Sequence, residues 1–170
     1  MQMYKIRFKM NMQKAVECVL WLIERGESNM YNIWKMMFAA EKHSLNNYGC
    51  PITGDVYYAM KHGTVPTDLY SIAKSDKEGM GFHREGKEAL IAEKSYEDGW
   101  LSDTDIKSLE VGYNEYKGMS FSEVEDKNHK EPCWKKNYIP NTSVAIPFED
   151  FIEHDWVLAD LRGVAHRMVL

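Results

Sequence analysis

Between residues 12 and 48 the apolar positions of this chain recur every three or four residues, the period of amphipathic helices. A first helix is predicted over 12–25, capped by Asn11, with Val16, Val19, Leu20 and Ile23 on one stripe facing a core. Gly26 ends it. A second runs over 30–48 behind a Ser28 or Asn29 cap. Tyr31, Trp34, Phe38, Glu41 or Lys42, and Leu45 repeat along it, and Met37 and Ala40 thicken the apolar side. Two helices joined this briefly are expected to pack antiparallel.

The pattern breaks after Tyr48. Gly49 suits the left-handed position that stops a helix, and Pro51 forbids its resumption. Thr53-Gly54-Asp55 is turn chemistry, with Asp55 read as the cap of its own turn. Val56 to His62 is rich in β-branched and aromatic residues and reads as a short strand ended by Gly63. Thr64-Val65-Pro66-Thr67 then opens a helix over 68–74, with Thr64 or Thr67 as its cap and Pro66 in its first turn.

Elsewhere the period is shorter or weaker. Tyr4 to Met10 alternates apolar and basic, which predicts an N-terminal edge strand or an arm within residues 1–10 that adds to a partner sheet. Residues 75–81 read as a loop. Ala89 to Ala92 reads as a strand, and pairing it with Val56 to Met60 gives a small antiparallel sheet. Ser102 to Asp105 is a capping box with Asp in place of Glu, opening a helix over 103–117 with Ile106, Leu109, Tyr113 and Tyr116 inward. Ser120 to Glu123 is a second box, opening a helix over 121–130. Residues 130–147 hold three prolines and no clear period, so they read as mostly irregular. Pro147 starts a last helix carrying Phe148, Phe151, Ile152, Trp156, Leu158, Ala159 and Leu161. Without repeats, linkers or low-complexity segments, residues 1–170 read as one α+β domain, mainly α, a helical domain with a small antiparallel β-sheet.

Composition changes this picture little. The hydrophobic fraction of 44% and charged fraction of 28% are those of a globular protein. A net charge of −5 gives no electrostatic footprint for nucleic acid. No apolar run approaches the roughly 20 residues of a membrane span. Three cysteines without a close pair point to a reducing cytoplasm.

Candidate chemistry is sparse. His129 and Cys133 could put two ligands near one metal, but a zinc site wants four in paired short spacings, and Cys50, His43, His62 and His83 supply no such pairing. No nucleophile elbow, phosphate loop, dinucleotide glycine run or zincin motif occurs, so neither a metal, a cofactor nor an enzyme activity is expected. Glu41 and Asp55 make a carboxylate pair if the second helix meets the turn, with Asp55 as a turn cap the competing reading. Lys35, Lys42 and Lys61 read as a solvated charged face. His129 reads as a residue that ties the Pro132-x-Trp134 loop to the body, and Trp134 as a buried loop anchor, with ligand binding the alternative.

The run Lys35-Met36-Met37-Phe38-Ala39-Ala40-Glu41, followed by Tyr48-Gly49, Pro51-Ile52-Thr53-Gly54-Asp55, Tyr57, Ala59-Met60-Lys61, Gly63, Val65-Pro66 and Leu69-Tyr70, resembles the Panacea domain, the SocA-like antitoxin family also seen as phage-associated proteins. Leu101-Ser102-Asp103 and His129-x-Glu131-Pro132-x-Trp134 are similar to its second-half motifs, so the resemblance spans most of 12–155. The chain departs at Cys50, where the family has Arg, at Thr64, where it has Pro, and at Glu41, where it has Asp. The resemblance implies an antitoxin that binds and neutralises a cognate toxin protein, with a protease as a further partner where a relative hands its toxin over, or an anti-defence role in a phage. The competing reading is a DNA-binding regulator with a winged-helix-like element, against which stands the acidic balance. Self-association stays open. Candidate partner contacts are Asp55, Lys61, His62, Thr64, Tyr70, His129 and Trp134, of which Lys61, His62 and Thr64 are expected at the exposed edge of the turn.

Overall fold

The computed structural model describes residues 5–75 and 79–169, with side chains as far as Val164. Its organising element is the helix α2 (Met30–Tyr48), buried on every side from Ile33 to Glu41. The Asn29 side chain accepts from Asn32 N at 3.2 Å to start it, and Gly49, at φ +71°, stops it by donating its N–H to the Leu45 carbonyl. Both ends match the predicted punctuation. An all-round apolar middle needs neighbours on all sides. They are α1 (Met12–Glu24), α4 (Asp103–Tyr116) and the sheet described below.

The long contact along α2 is made by α4 rather than by α1. Gly112 makes it possible. A Cβ at this position would overlap the Met36 carbonyl of α2, so the two backbones touch where side chains would hold them apart. The buried stripe of α4 is accordingly Asp105, Ser108, Leu109, Gly112 and Tyr116, and the predicted inner residues Ile106 and Tyr113 are only half-buried. Both capping boxes form as predicted, Ser102 with Asp105 and Ser120 with Glu123, the second opening α5 (Phe121–Asn128).

The sheet differs from its prediction. β1 (Tyr57–Met60) is central, with β2 (Gly63–Pro66) on one side and β5 (Val144–Ala145) on the other, both antiparallel. Ala89 to Ala92 does not pair with β1. As β4 (Ala89–Ala92) it pairs with β3 (Phe82–Glu85) across a short turn. The nearer strand won because a three-residue connection costs little closure entropy. The segment read as a helix opening, Gly63 to Pro66, is itself β2, so the helix α3 (Thr67–Lys74) follows it directly. β-branched Thr64 and Val65 suit that strand, and Pro66 sits at its end, where no further ladder N–H is needed.

Two further expectations are corrected. Lys5 to Met10 keeps its alternation, with Ile6 buried and Phe8 and Met10 half-buried between exposed Lys5, Arg7 and Lys9, but it joins no strand ladder. Ile6 N donates to Glu149 Oε1 at 2.8 Å and Asn11 N to the Thr53 carbonyl at 2.8 Å, so the segment is pinned at single points. Tyr4 lies outside the described residues. The region 130–147 is mostly irregular, as expected, apart from α6 (Pro132–Asn137) and β5. Pro147 opens only a 3-10 turn over Phe148–Phe151, and the last helix, α7 (Asp155–Val169), starts after it. Among the described residues no helix is long and apolar enough to cross a membrane.

Candidate functional site

Two residues, Lys61 and His62, form the turn between β1 and β2, and both are exposed. A turn at a protein surface ordinarily leaves its carbonyls to water. Here three in a row are taken by side chains from three other elements. Trp134 Nε1 of α6 donates to the Met60 carbonyl at 2.9 Å. His129 Nε2, at the end of α5, donates to the Lys61 carbonyl at 3.0 Å, which fixes the tautomer with the proton on Nε2. Tyr31 of α2 donates its hydroxyl to the His62 carbonyl at 2.7 Å. The His62 ring itself meets Glu125 Oε2 at 2.5 Å.

The strand leaving the turn is held as tightly. Buried Asn128 uses its whole amide on Thr64 and its surroundings. Oδ1 accepts from Thr64 N at 2.8 Å, and Nδ2 donates to Thr64 Oγ1 at 3.1 Å and to the Tyr116 hydroxyl at 3.3 Å. Lys35 Nζ donates to the Thr64 carbonyl at 3.0 Å. The outer edge of β2 is thus closed by α5 and α2. Gly63, at φ +111°, is required by this arrangement, since a Cβ there would overlap Asn128 Oδ1 and lie 2.8 Å from Lys35 Cε. Under the turn, His129, Trp134 and Tyr138 stack with ring centroids 3.9 and 4.5 Å apart.

The turn at residues 53–55 supports the far end of this unit. Glu41 of α2, fully buried, accepts from Ile52 N at 2.6 Å, from Thr53 N at 2.9 Å and from the Thr53 hydroxyl. Thr53 Oγ1 in turn accepts from Asp55 N at 3.1 Å. Asp55 does not cap its own turn. Its carboxylate accepts from Asp68 N at 3.0 Å and Leu69 N at 3.1 Å, so it caps α3 across the hairpin. Burial pushes both carboxyls above their usual range, and these hydrogen bonds pull them back. Glu41 and Asp55 meet through Thr53 with their acceptors occupied by backbone, which is the bonding of two internal caps.

The seven residues expected at a partner surface therefore fall into three groups. Lys61, His62 and Tyr70 line one cavity, with the first two exposed and Tyr70 half-buried. His129 and Trp134 are half-buried and hold the turn from the other side. Asp55 and Thr64 are fully buried, so Thr64 is not at the exposed edge of the turn as expected. Thr64 supplies the hydroxyl and the N–H that Asn128 binds.

The cavity has a volume of about 290 Å³. Its walls include Met30, Tyr31 and Trp34 of α2, Val65 of β2, Tyr70 of α3 and Phe121 of α5. Phe121 is 48% exposed and packs against Tyr31 and His62 with centroids 4.4 and 5.5 Å away. Lys87 and Glu88 complete the rim, with Glu88 Oε2 3.3 Å from Asn29 Nδ2. Lys35 also lines the cavity and is fully buried, against the reading of Lys35, Lys42 and Lys61 as one solvated face. Its Nζ lies 4.1 Å from the Tyr31 ring centre, and desolvation lowers its pKa to about 7. Lys42 is half-buried between Glu131 and Glu153, and only Lys61 is exposed.

Sequence reasoning missed Lys35, Asn128, Tyr31 and Phe121. Lys35 carried a usable signal, a cation flanked by Trp34, Met36, Met37 and Phe38 inside an apolar run. Asn128 carried none. Elsewhere His43 Nδ1 lies 2.9 Å from Ser108 Oγ, but Ser108 is fully buried between α2 and α4. Among the described residues no group of three His, Cys, Asp or Glu side chains is placed to hold a metal.

A family model, the antitoxin SocA-like Panacea domain, matches residues 33–135, more than half of the chain. No curated protein and no solved structure matches the chain.

Proposed function

From the premise that this chain belongs to the SocA-like antitoxin Panacea domain family, we propose that it neutralises a cognate toxin by binding it directly, through the face built around Lys61 and His62. The observation that carries the reading is the clamped turn. Its three successive carbonyls are fixed by Trp134, His129 and Tyr31, so the exposed Lys61 and His62 side chains start from a rigid backbone. A preorganised surface loses less entropy on association than a mobile one. The exposed Phe121 ring beside the turn supplies the aromatic contact that interface centres favour. All the clamping residues except Tyr31 lie inside the family span of 33–135.

The mechanism is occlusion and requires no catalytic group in this chain. A specific interface buries roughly 1,200–2,000 Å² in total, enough to cover a toxin's active site. The test is co-expression with the product of the adjacent gene. Growth should return, and the two proteins should co-purify as a complex stable to gel filtration. Growth restored without any complex would overturn direct binding.

A further inference from the structure

On the residues lining the cavity, one buried donor has no acceptor and a second has a single one. Trp34 is 2% exposed, and its Nε1–H has no hydrogen-bond partner. Lys35 is fully buried, and among the described residues the Thr64 carbonyl is the one acceptor bonded to its Nζ, which carries up to three protons. Buried polar groups are almost always paired, so an orphan indole N–H and an under-used amine on two residues lining one cavity need an explanation. Both groups can only donate when Lys35 is protonated, so the missing partner is an acceptor. The charges nearby favour an anionic one. Lys61 and Lys87 stand on the rim, and the two carboxylates in the vicinity are already engaged, Glu125 with His62 and Glu88 with Asn29. The remaining walls are apolar and aromatic. At about 290 Å³ the cavity lies just below the roughly 300–1,000 Å³ of small-molecule pockets, a size that suits a small anchoring group.

We propose that this cavity is the anchor pocket of the interface and receives an apolar side chain with a carboxylate beside it, supplied by the toxin. The apolar part rests against Met30, Tyr70 and Phe121, and the carboxylate turns to Lys35 and the Trp34 indole. This rests on the antitoxin reading above, and it names the chemistry by which that reading is realised.

The test uses the full chain and the adjacent gene product. Two variants separate pocket from fold. Lys35→Met keeps the volume and removes the donor, and Lys61→Glu with Lys87→Glu reverses the rim charge at exposed positions. Both should weaken toxin binding by about tenfold or more, with thermal melting of the rim variant unchanged. In parallel, 3-phenylpropionate, an apolar group joined to a carboxylate, is titrated into the labelled wild-type chain. The Trp34 indole N–H resonance should shift saturably, and should not shift in Lys35→Met. Toxin affinities within about twofold of wild type in both variants would overturn the anchor while leaving the antitoxin reading intact. So would an unmoved Trp34 resonance at saturating probe. A wild-type chain that fails to bind the toxin at all overturns the antitoxin reading first, and the anchor with it.

Discussion

Lys35→Met also exposes how α2 tolerates a buried amine. In the unfolded chain the lysine titrates near its ordinary value of 10.5, and in the folded chain burial lowers its pKa to about 7. Between these values the unfolded state holds a proton that the folded state has released. Stability therefore rises with pH across this window, and the destabilisation from the buried charge is fully present only below the folded value. From pH 7 to pH 9 the wild-type chain should gain about 2 kcal/mol relative to Lys35→Met, which lacks the titration. The lost bond to the Thr64 carbonyl shifts the variant by about 1–3 kcal/mol at every pH and leaves the slope alone. The assay is urea unfolding of both proteins at pH 7, 8 and 9. Taking the difference between them cancels Cys18 and Tyr57, which burial also pushes up and which act in the opposite direction at higher pH. A difference constant to within about 0.5 kcal/mol would refute the reasoning, and would mean that the folded chain keeps Lys35 ordinarily charged.

Other substitutions sort the same unit into fold and surface. Asp55→Ala removes the cap from the Asp68 and Leu69 N–H groups in the first turn of α3 and should cost about 0.5–2 kcal/mol in chemical denaturation; a full loss of growth rescue with unchanged stability would make Asp55 a contact residue instead. Gly63→Val places a branched side chain at positive φ against Asn128, and should leave little folded protein by circular dichroism. Lys61→Ala and His62→Ala keep the carbonyls that Trp134, His129 and Tyr31 hold, so melting temperatures should move by no more than about 0.5 kcal/mol in equivalent stability, while rescue of growth should weaken.

Four helix starts were legible because their signals are local. Asn11, Asn29, Ser102 and Ser120 cap the helices they precede, and Gly49 ends α2 where the pattern stops. The sheet was not legible, because Gly63 reads locally as a terminator when it is the first residue of β2, and strand pairing depends on partners that no local pattern names. Val144 and Ala145 illustrate this, with two residues recruited by β1 from beyond α6. In the candidate site, two of the residues expected at a partner surface lie inside the protein. Thr64 and Asp55 look like polar surface residues, and burial turned them into hydrogen-bonding joints because Asn128, Glu41 and the start of α3 arrive from more than ten residues away. Lys35 was read by its charge, when its apolar neighbours decided its place.

Direct toxin binding through the clamped turn and its cavity is open to a single measurement. The most direct measurement is isothermal titration of the purified chain with the purified product of the adjacent gene, for wild type and for His62→Ala. The wild-type chain should bind saturably and the variant clearly more weakly, at unchanged melting temperature. No detectable heat or complex with a toxin that the chain nevertheless neutralises in cells would contradict direct binding.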